Sequence, residues 1–88
     1  MAYEIEWTTA ALRELRKLDR QTGRKVVLSV TALADDPRPP GSRALVGQPA
    51  GVMRIRIGAY RVVYQVEDVK VLVTVVRVAH RREVYRKP

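Results

Sequence analysis

Residues 52–64 alternate between apolar and other side chains on both sides of Gly58-Ala59. Alternation with a period of two is typical of a β-strand that has two unlike faces. A two-residue turn at Gly58-Ala59 joins the two halves as a hairpin, and glycine at the first turn position suits a type II′ turn. The pattern therefore predicts a pair of antiparallel strands whose register can be written out residue by residue.

In that register one face of the hairpin is entirely apolar, with the pairs Ile57–Tyr60, Ile55–Val62 and Met53–Tyr64. The other face pairs Arg56 with Arg61 and Arg54 with Val63. Since like charges placed directly opposite each other destabilise a sheet, three arginines on one small face indicate a site that receives an anion. The alternative is a solvated face on which arginine only adds solubility.

The segments around this hairpin supply two helices and two further strands. Residues 3–7 alternate strictly and predict a half-buried strand. A helix capped by Thr8 or Thr9 follows, and residues 19–23 interrupt the helical pattern before a second helix begins. After the hairpin, residues 69–79 form a β-branched apolar run that is typical of a strand covered on at least one face.

Proline and glycine punctuate residues 35–51, which predicts a loop with one short turn near residues 43–45, pinned to the core by Leu45 and Val46. The element order strand-helix-helix-strand-strand-strand predicts an α+β fold in a single small domain, residues 1–88. In this fold a two-helix hairpin packs on one face of a twisted antiparallel four-stranded sheet. The arginine face of the central hairpin is then the uncovered, concave side.

The charge of the chain is large and uneven, with a net of +8. Residues 1–53 hold eight basic and six acidic residues, a net of +2, whereas residues 54–88 hold nine and three, a net of +6. Localised basicity is the footprint of a polyanionic partner, with nucleic acid as the first candidate and an acidic protein as the second. A membrane surface fits less well, because the basic residues follow strand patterns rather than an amphipathic helix.

The composition also limits the kinds of site that the chain can form. The chain has no cysteine and one histidine, so the sequence predicts no disulfide, no cluster of metal ligands and no cofactor. The N-terminus has early acidic residues and lacks the apolar stretch of a signal peptide, and no apolar run approaches membrane-spanning length. A cytoplasmic protein is the expectation.

The predicted sheet brings several functional groups to its open face, because the last strand ends beside the arginines of the hairpin. Guanidinium groups bind phosphate oxygens bidentately, and an imidazole or a phenol transfers protons or stacks on a base. RNA carries its own nucleophile, the 2′-hydroxyl, so a protein needs only to orient it, stabilise the developing charge and protonate the leaving 5′ oxygen. The candidate residues are Arg54, Arg56, Arg61, His80, Arg81, Arg82 and Tyr85.

Residues 45–64, followed by His-Arg-Arg-Glu-Val-Tyr at 80–85, resemble the RelE/ParE toxin superfamily and, within it, the RelE branch. The resemblance implies a toxin of a type II toxin–antitoxin system that cleaves mRNA in the ribosomal A site, next to 16S rRNA, without a metal. It also implies a small RelB-like antitoxin that wraps and neutralises the toxin, in a hetero-oligomeric complex that binds operator DNA through the antitoxin.

The resemblance also assigns roles to individual residues. The basic pair of the family falls on Arg54 and Arg56, and its phosphate-stabilising arginine on Arg61. Its arginine after the last strand falls on Arg81, with Arg82 as the substitute, and its C-terminal tyrosine on Tyr85. Members of the RelE branch often carry lysine in the basic pair, and arginine does not deprotonate in proteins. A general base is then His80, Tyr85 or no strong base at all.

Two other functions remain open from the sequence. A ParE-like toxin inhibits DNA gyrase by protein contact and has no nuclease chemistry. A small RNA- or DNA-binding module has neither activity. The basic face together with His80 and Tyr85 favours the endoribonuclease over both.

Overall fold

Residues 2–80 are described by a computed structural model, and the candidate residues Arg81, Arg82 and Tyr85 lie outside this range. The elements in chain order are β1 (Glu4–Trp7), α1 (Thr9–Arg16), α2 (Arg20–Ala32), β2 (Arg43–Ala44), β3 (Val52–Ile57), β4 (Tyr60–Glu67) and β5 (Leu72–His80). The strands form one sheet in the order β1-β5-β4-β3-β2. No helix among these residues is long and apolar enough to span a membrane.

The predicted α+β class, with a helix pair against a sheet, is confirmed. The sheet differs in having five strands rather than four, and it is not wholly antiparallel, because β1 runs parallel to β5. The additional strand, β2, lies where the sequence predicts only a loop with a turn. Its pairing with β3, extended by a bond from Leu45 N–H to the Val52 carbonyl at 3.1 Å, overrides the local loop preference.

The register predicted for the central hairpin is confirmed at every pair from Met53–Tyr64 to Ile57–Tyr60. Gly58 has φ 59°, a left-handed conformation that most other residues avoid, so glycine suits the turn. The apolar face of the hairpin carries the core residues Met53, Ile55, Val62 and Tyr64. We call this side of the sheet the helix side and the opposite side the open face.

The helices begin at side-chain caps. Thr8 accepts a hydrogen bond from the Ala11 amide at 3.1 Å, which confirms the predicted cap of α1. Asp19 accepts one from the Thr22 amide at 3.1 Å and starts α2 at Arg20. The predicted interruption is therefore shorter than residues 19–23, and Gly23 lies inside α2.

The core lies between the helices and the sheet, where Ala11, Val26, Val30 and Leu33 pack on the apolar face. Tyr64 is fully buried and donates a hydrogen bond to the Pro37 carbonyl at 2.8 Å, and its burial raises the pKa of its phenol. This bond fixes the start of the loop that leads to β2. Val46, predicted to pin that loop, is instead 99% exposed.

Val71 is a point of backbone strain, since this β-branched residue has φ 52°. The left-handed conformation costs an ordinary residue about 1–2 kcal/mol, and glycine avoids that cost while losing more chain entropy on folding. We expect Val71→Gly to raise the free energy of unfolding by up to about 1 kcal/mol, measured by urea denaturation. The matched control is Val69→Gly, at an exposed turn position without positive φ, which should lower it. Equal losses in both variants would contradict the strain argument.

Candidate functional site: an arginine cleft on the open face

Four arginines form a row across β2, β3 and β4. Arg43 lies opposite Arg54, and Arg56 lies opposite Arg61. Directly opposed residues of antiparallel strands share a face of the sheet, with Cβ atoms about 4.5–5.5 Å apart. The sheet therefore concentrates positive charge on its open face, as the hairpin pattern predicts.

Three of these arginines line a depression of about 320 Å³ beside β3, which we call the arginine cleft. Arg43, Arg54 and Arg56 supply its charge, while Pro40 and Gly41 form the opposite wall. Arg43 and Arg56 are exposed and Arg54 is half-buried. Guanidinium groups arranged in this way can bind two or more oxygens of a phosphate.

Arg43 is a candidate that the sequence analysis missed. Its role depends on the pairing of β2 with β3, which places it opposite Arg54. The sequence gives no alternation that would mark this strand, since Ala44 and Leu45 are both apolar and the segment around them is rich in proline and glycine.

A polar cluster holds the wall of the cleft in place. Asp68, in the turn between β4 and β5, accepts two hydrogen bonds from Arg38, at 3.1 and 2.9 Å, and one from the Tyr3 hydroxyl at 2.6 Å. The Arg38 guanidinium, and then the Tyr3 hydroxyl, lower the pKa of the Asp68 carboxyl. Ser42 also donates to the Pro39 carbonyl, from its hydroxyl at 2.7 Å. These contacts anchor the loop that carries Pro40 and Gly41.

The burial of Arg61 contradicts the expectation that this face is fully uncovered, because only 3% of the residue is exposed. Its neighbours on the same face, Val63 and Ala79, are 8% and 2% exposed. A guanidinium in such surroundings interacts more strongly with an anion than one in water, since screening is weaker there. The row thus has exposed arginines at its outer end and a buried one at its inner end.

The structure places His80 away from the arginines, and the prediction that it shares their face is wrong. Its register partner is Tyr60, a residue of the helix side, and the two rings meet edge to face at 5.5 Å. His80 lies in a separate depression of about 200 Å³ with Glu14, Lys17 and Leu18 of the α1 side.

A bulge in β5 explains this placement. Val63 pairs with Arg77 and Tyr64 pairs with Val75, so Val76 is an extra residue between them. One extra residue moves every later side chain to the opposite face. Val78 and His80 thereby turn to the helix side, and Arg77 and Ala79 to the open face.

Glu14 of α1 binds the second half of β5, the part that extends beyond its pairing with β1. Its carboxylate accepts a hydrogen bond from the Val78 amide at 2.8 Å and forms an ion pair with Arg77 at 2.9 Å. Arg77 therefore has a structural role here.

A family model for the ParE toxin of the type II toxin–antitoxin system parDE matches residues 5–85. The chain belongs to the RelE/ParE superfamily of toxins. This RelE/ParE toxin is 36% identical to toxin RelG of Mycobacterium tuberculosis, over 99% of this chain and 100% of RelG. It is 35% identical to the mRNA interferase toxin RelE of Escherichia coli K12, over 97% of this chain and 92% of that one.

Solved structures agree with this assignment. The toxin–antitoxin complex RelBE2 of M. tuberculosis contains a chain that superposes with a TM-score of 0.80 at 32% identity, covering 92% of this RelE/ParE toxin and all of that chain. Free E. coli RelE with two arginine-to-alanine substitutions gives a TM-score of 0.80 at 34% identity, covering 97% of this chain and 92% of that one. The resemblance seen in residues 45–64 and 80–85 is therefore confirmed at the level of the whole fold.

Proposed function

We propose that this toxin is a ribosome-dependent endoribonuclease that cleaves mRNA in the A site and so inhibits translation. The observation that carries the proposal is the row of four arginines across β2, β3 and β4, three of which line a cleft wide enough for a phosphate. The relationship to the mRNA interferase toxin RelE of E. coli supports an RNA substrate.

In the proposed reaction the 2′-hydroxyl of the RNA attacks the adjacent phosphorus, the bond to the 5′ oxygen breaks, and a 2′,3′-cyclic phosphate and a 5′-hydroxyl result. Arg54 and Arg56, together with Arg43, hold the backbone phosphates in the arginine cleft. Arg61 stabilises the negative charge that develops on the phosphorane. Because arginine supplies this charge and the RNA supplies the nucleophile, the step as proposed needs no metal.

Proton transfer is assigned to the C-terminal part of the chain. Tyr85 is proposed to move the proton released by the 2′-hydroxyl to the leaving 5′ oxygen, and Arg81, with Arg82 as its substitute, is proposed to neutralise the negative charge on the leaving group. His80 has a secondary role in this proposal, since its side chain lies on the helix side of the sheet and its ring contacts that of Tyr60.

We expect His80→Gln to lower single-turnover cleavage by less than about tenfold, whereas loss of a true general base costs about 10²–10⁴-fold. The measurement is the pH–rate profile of cleavage on programmed ribosomes, in wild type and variant. Superimposable profiles support the placement on the helix side. A loss of the ionisation limb in the variant, with a fall of 10²-fold or so, would assign the base to His80.

The partner of the toxin is proposed to be a cognate RelB-like antitoxin in a hetero-oligomeric complex, because structural relatives of this chain are toxin–antitoxin complexes. Binding of operator DNA by this complex is assigned to the antitoxin. Residues 54–88 carry most of the positive charge of the toxin, so an acidic segment of the partner fits this region.

Gyrase inhibition is the second candidate function, because the family model that matches residues 5–85 is that of ParE. A cell-free translation reaction followed by primer extension on the message separates the two. Cleavage within codons on the ribosome supports the endoribonuclease. Intact message together with inhibited DNA supercoiling by gyrase would support the ParE-like activity. Binding of RNA or DNA without either effect would support a non-catalytic module.

A further inference from the structure

A second depression on the open face, of about 460 Å³, lies next to the arginine row. We call it the glutamine depression. Its floor is formed by β3, β4 and β5, and one wall by the segment that joins β2 to β3. This floor and wall include Val52, Val63, Gln65, Leu45, Gln48 and Pro49. Arg77, ion-paired with Glu14, closes the end at β5. The depression therefore lies over the middle of the sheet, at the inner side of the arginines.

The glutamine depression and the arginine cleft meet at one cross-strand pair. Arg54 lines the cleft, and its register partner Val63 lines the depression. Val63 is also two residues from Arg61 along β4, and residues two apart on a strand share a face of the sheet. A nucleotide carries its phosphate and its base on different sides of the ribose. One nucleotide can therefore place its phosphate on the arginine row and its base in the depression.

The lining of the glutamine depression suits a flat, uncharged ring better than a phosphate. Leu45 and Pro49 on the wall and Val52 and Val63 on the floor are apolar, and burying a charged group against such a lining is costly. Single-stranded RNA presents bases whose faces stack on protein surfaces and whose edges form hydrogen bonds. An extended protein segment gains less here, because β4 pairs with β3 on one side and with β5 on the other, which leaves no strand edge below the depression.

Two glutamine side chains supply hydrogen-bonding groups to this depression. The chain has three glutamines and no asparagine, and Gln48 and Gln65 both line the depression. Within residues 2–80 neither side-chain amide has a hydrogen-bond partner. A glutamine amide both donates and accepts, and it can bond at once to the N6 amino group and the N7 atom of adenine. The polar groups of the depression thus match the edge of a base.

We infer that the glutamine depression binds one unstacked base of the message, and that Gln48 and Gln65 form hydrogen bonds to its edge and favour adenine. The inference rests on the proposed endoribonuclease function and names the residues that give it sequence preference. Contacts to phosphate position a nucleic acid, whereas contacts to base edges discriminate between sequences. The arginines and the glutamines therefore have separate tasks on the same face.

The first test titrates the purified toxin, without ribosomes, with 2′-O-methyl trinucleotides, which lack the attacking hydroxyl. The probe carries three adenines, and the control carries the same phosphates with three abasic residues. The side-chain amides are followed by ¹⁵N NMR, and Gln21 of α2 is the internal reference, because it lines neither the arginine cleft nor the glutamine depression. We expect the probe to shift the signals of Gln48 and Gln65 but not of Gln21, and to bind at least about fivefold more tightly than the control.

Equal affinities for probe and control, with unmoved signals of Gln48 and Gln65, would overturn the inference. Binding would then depend on phosphate alone, and the depression would be left to a protein partner.

The second test measures cleavage on programmed ribosomes with A-site codons that differ by adenine or uracil at one position. We expect wild type to favour adenine at one of the three positions by at least about fivefold. Gln65→Leu and, in the exposed wall, Gln48→Leu keep the size of the side chain and remove its amide, so both should lose this preference and still cleave the uracil codon. The matched control, Gln21→Leu at an exposed position of α2, should keep it.

An unchanged codon preference in both Gln48→Leu and Gln65→Leu would overturn the inference. Absence of cleavage by the wild type would refute the proposed function instead, and the trinucleotide titration, made without ribosomes, would still decide whether the depression binds a base.

Discussion

Replacing Arg61 with alanine is expected to lower single-turnover cleavage of ribosome-bound mRNA by about 10²–10³-fold, the range seen when one charge-stabilising donor is removed from a transition state. Arg61 is 3% exposed and lies at the inner end of the arginine row. Its guanidinium therefore acts where solvent screens least. The measurement is cleavage rate at saturating toxin, on a message with one strong site.

The same substitution is also expected to destabilise the protein. An alanine at a buried position leaves the volume of a large side chain unfilled, and we expect a loss of about 1–3 kcal/mol in the free energy of unfolding. The sequence alone predicts almost no change, because it places Arg61 on an uncovered surface. Arg56→Ala, at an exposed position, is the matched control and should alter stability by no more than about 0.5 kcal/mol.

Arg61→Lys separates charge from geometry. Lysine keeps the positive charge but lacks the planar fork that binds two phosphate oxygens. We expect this variant to be folded and to cleave more slowly than wild type. Rates are measured well below the melting temperature of each variant, with circular dichroism to verify the fold. Cleavage by folded Arg61→Ala within tenfold of the wild-type rate would exclude Arg61 from the role proposed for it.

Gly51→Ala is expected to lower the free energy of unfolding by roughly 2–4 kcal/mol. Gly51 has φ 91°, and a Cβ at this position would lie 2.6 Å from the Val66 carbonyl oxygen. That oxygen belongs to the backbone of the central strand β4, and the Val66 amide donates to the Gly51 carbonyl at 2.8 Å. The clash therefore opposes the contact that holds the start of β3 against the sheet.

Gly47→Ala is the matched control, because Gly47 has φ 80° but nothing within 4 Å of an added Cβ. It should show the backbone cost alone, about 1 kcal/mol. A domain of this length is stable by about 4–13 kcal/mol, so the effect at Gly51 is large. Urea denaturation of both variants measures the difference. Equal losses at the two positions would show that the sheet accommodates the added methyl group.

Local rules predicted the parts of this fold that depend on neighbours in sequence. The hairpin register followed from alternation around Gly58-Ala59, and the cap of α1 followed from Thr8. The parallel neighbour of β1 and the short strand β2 were missed. Both depend on pairing between distant segments, and neither leaves a pattern that distinguishes it from alternatives within its own residues.

For the candidate site too, the sequence predicted only the features that depend on neighbouring residues. The hairpin pattern identified Arg54, Arg56 and Arg61 as members of one face, and the register agrees. The burial of Arg61 and the position of His80 could not be obtained this way. A single extra residue, Val76, reverses the faces of the end of β5, and an apolar run of valines gives no sign of where such a bulge falls.

The place of β5 in the sheet has a consequence for how the protein is made. β5 is the last of the described strands in sequence, yet it lies between β1 and β4. During synthesis, residues 4–7 have no sheet partner until residues 72–75 have left the ribosome, and α1 lacks the strand edge that Glu14 binds. The ribosome synthesises a chain from its N-terminus at about 5–20 residues per second, and pairing between distant strands is slow. The toxin therefore completes its sheet only after β5 has emerged, and a partner that binds earlier meets a chain whose first strand is still unpaired.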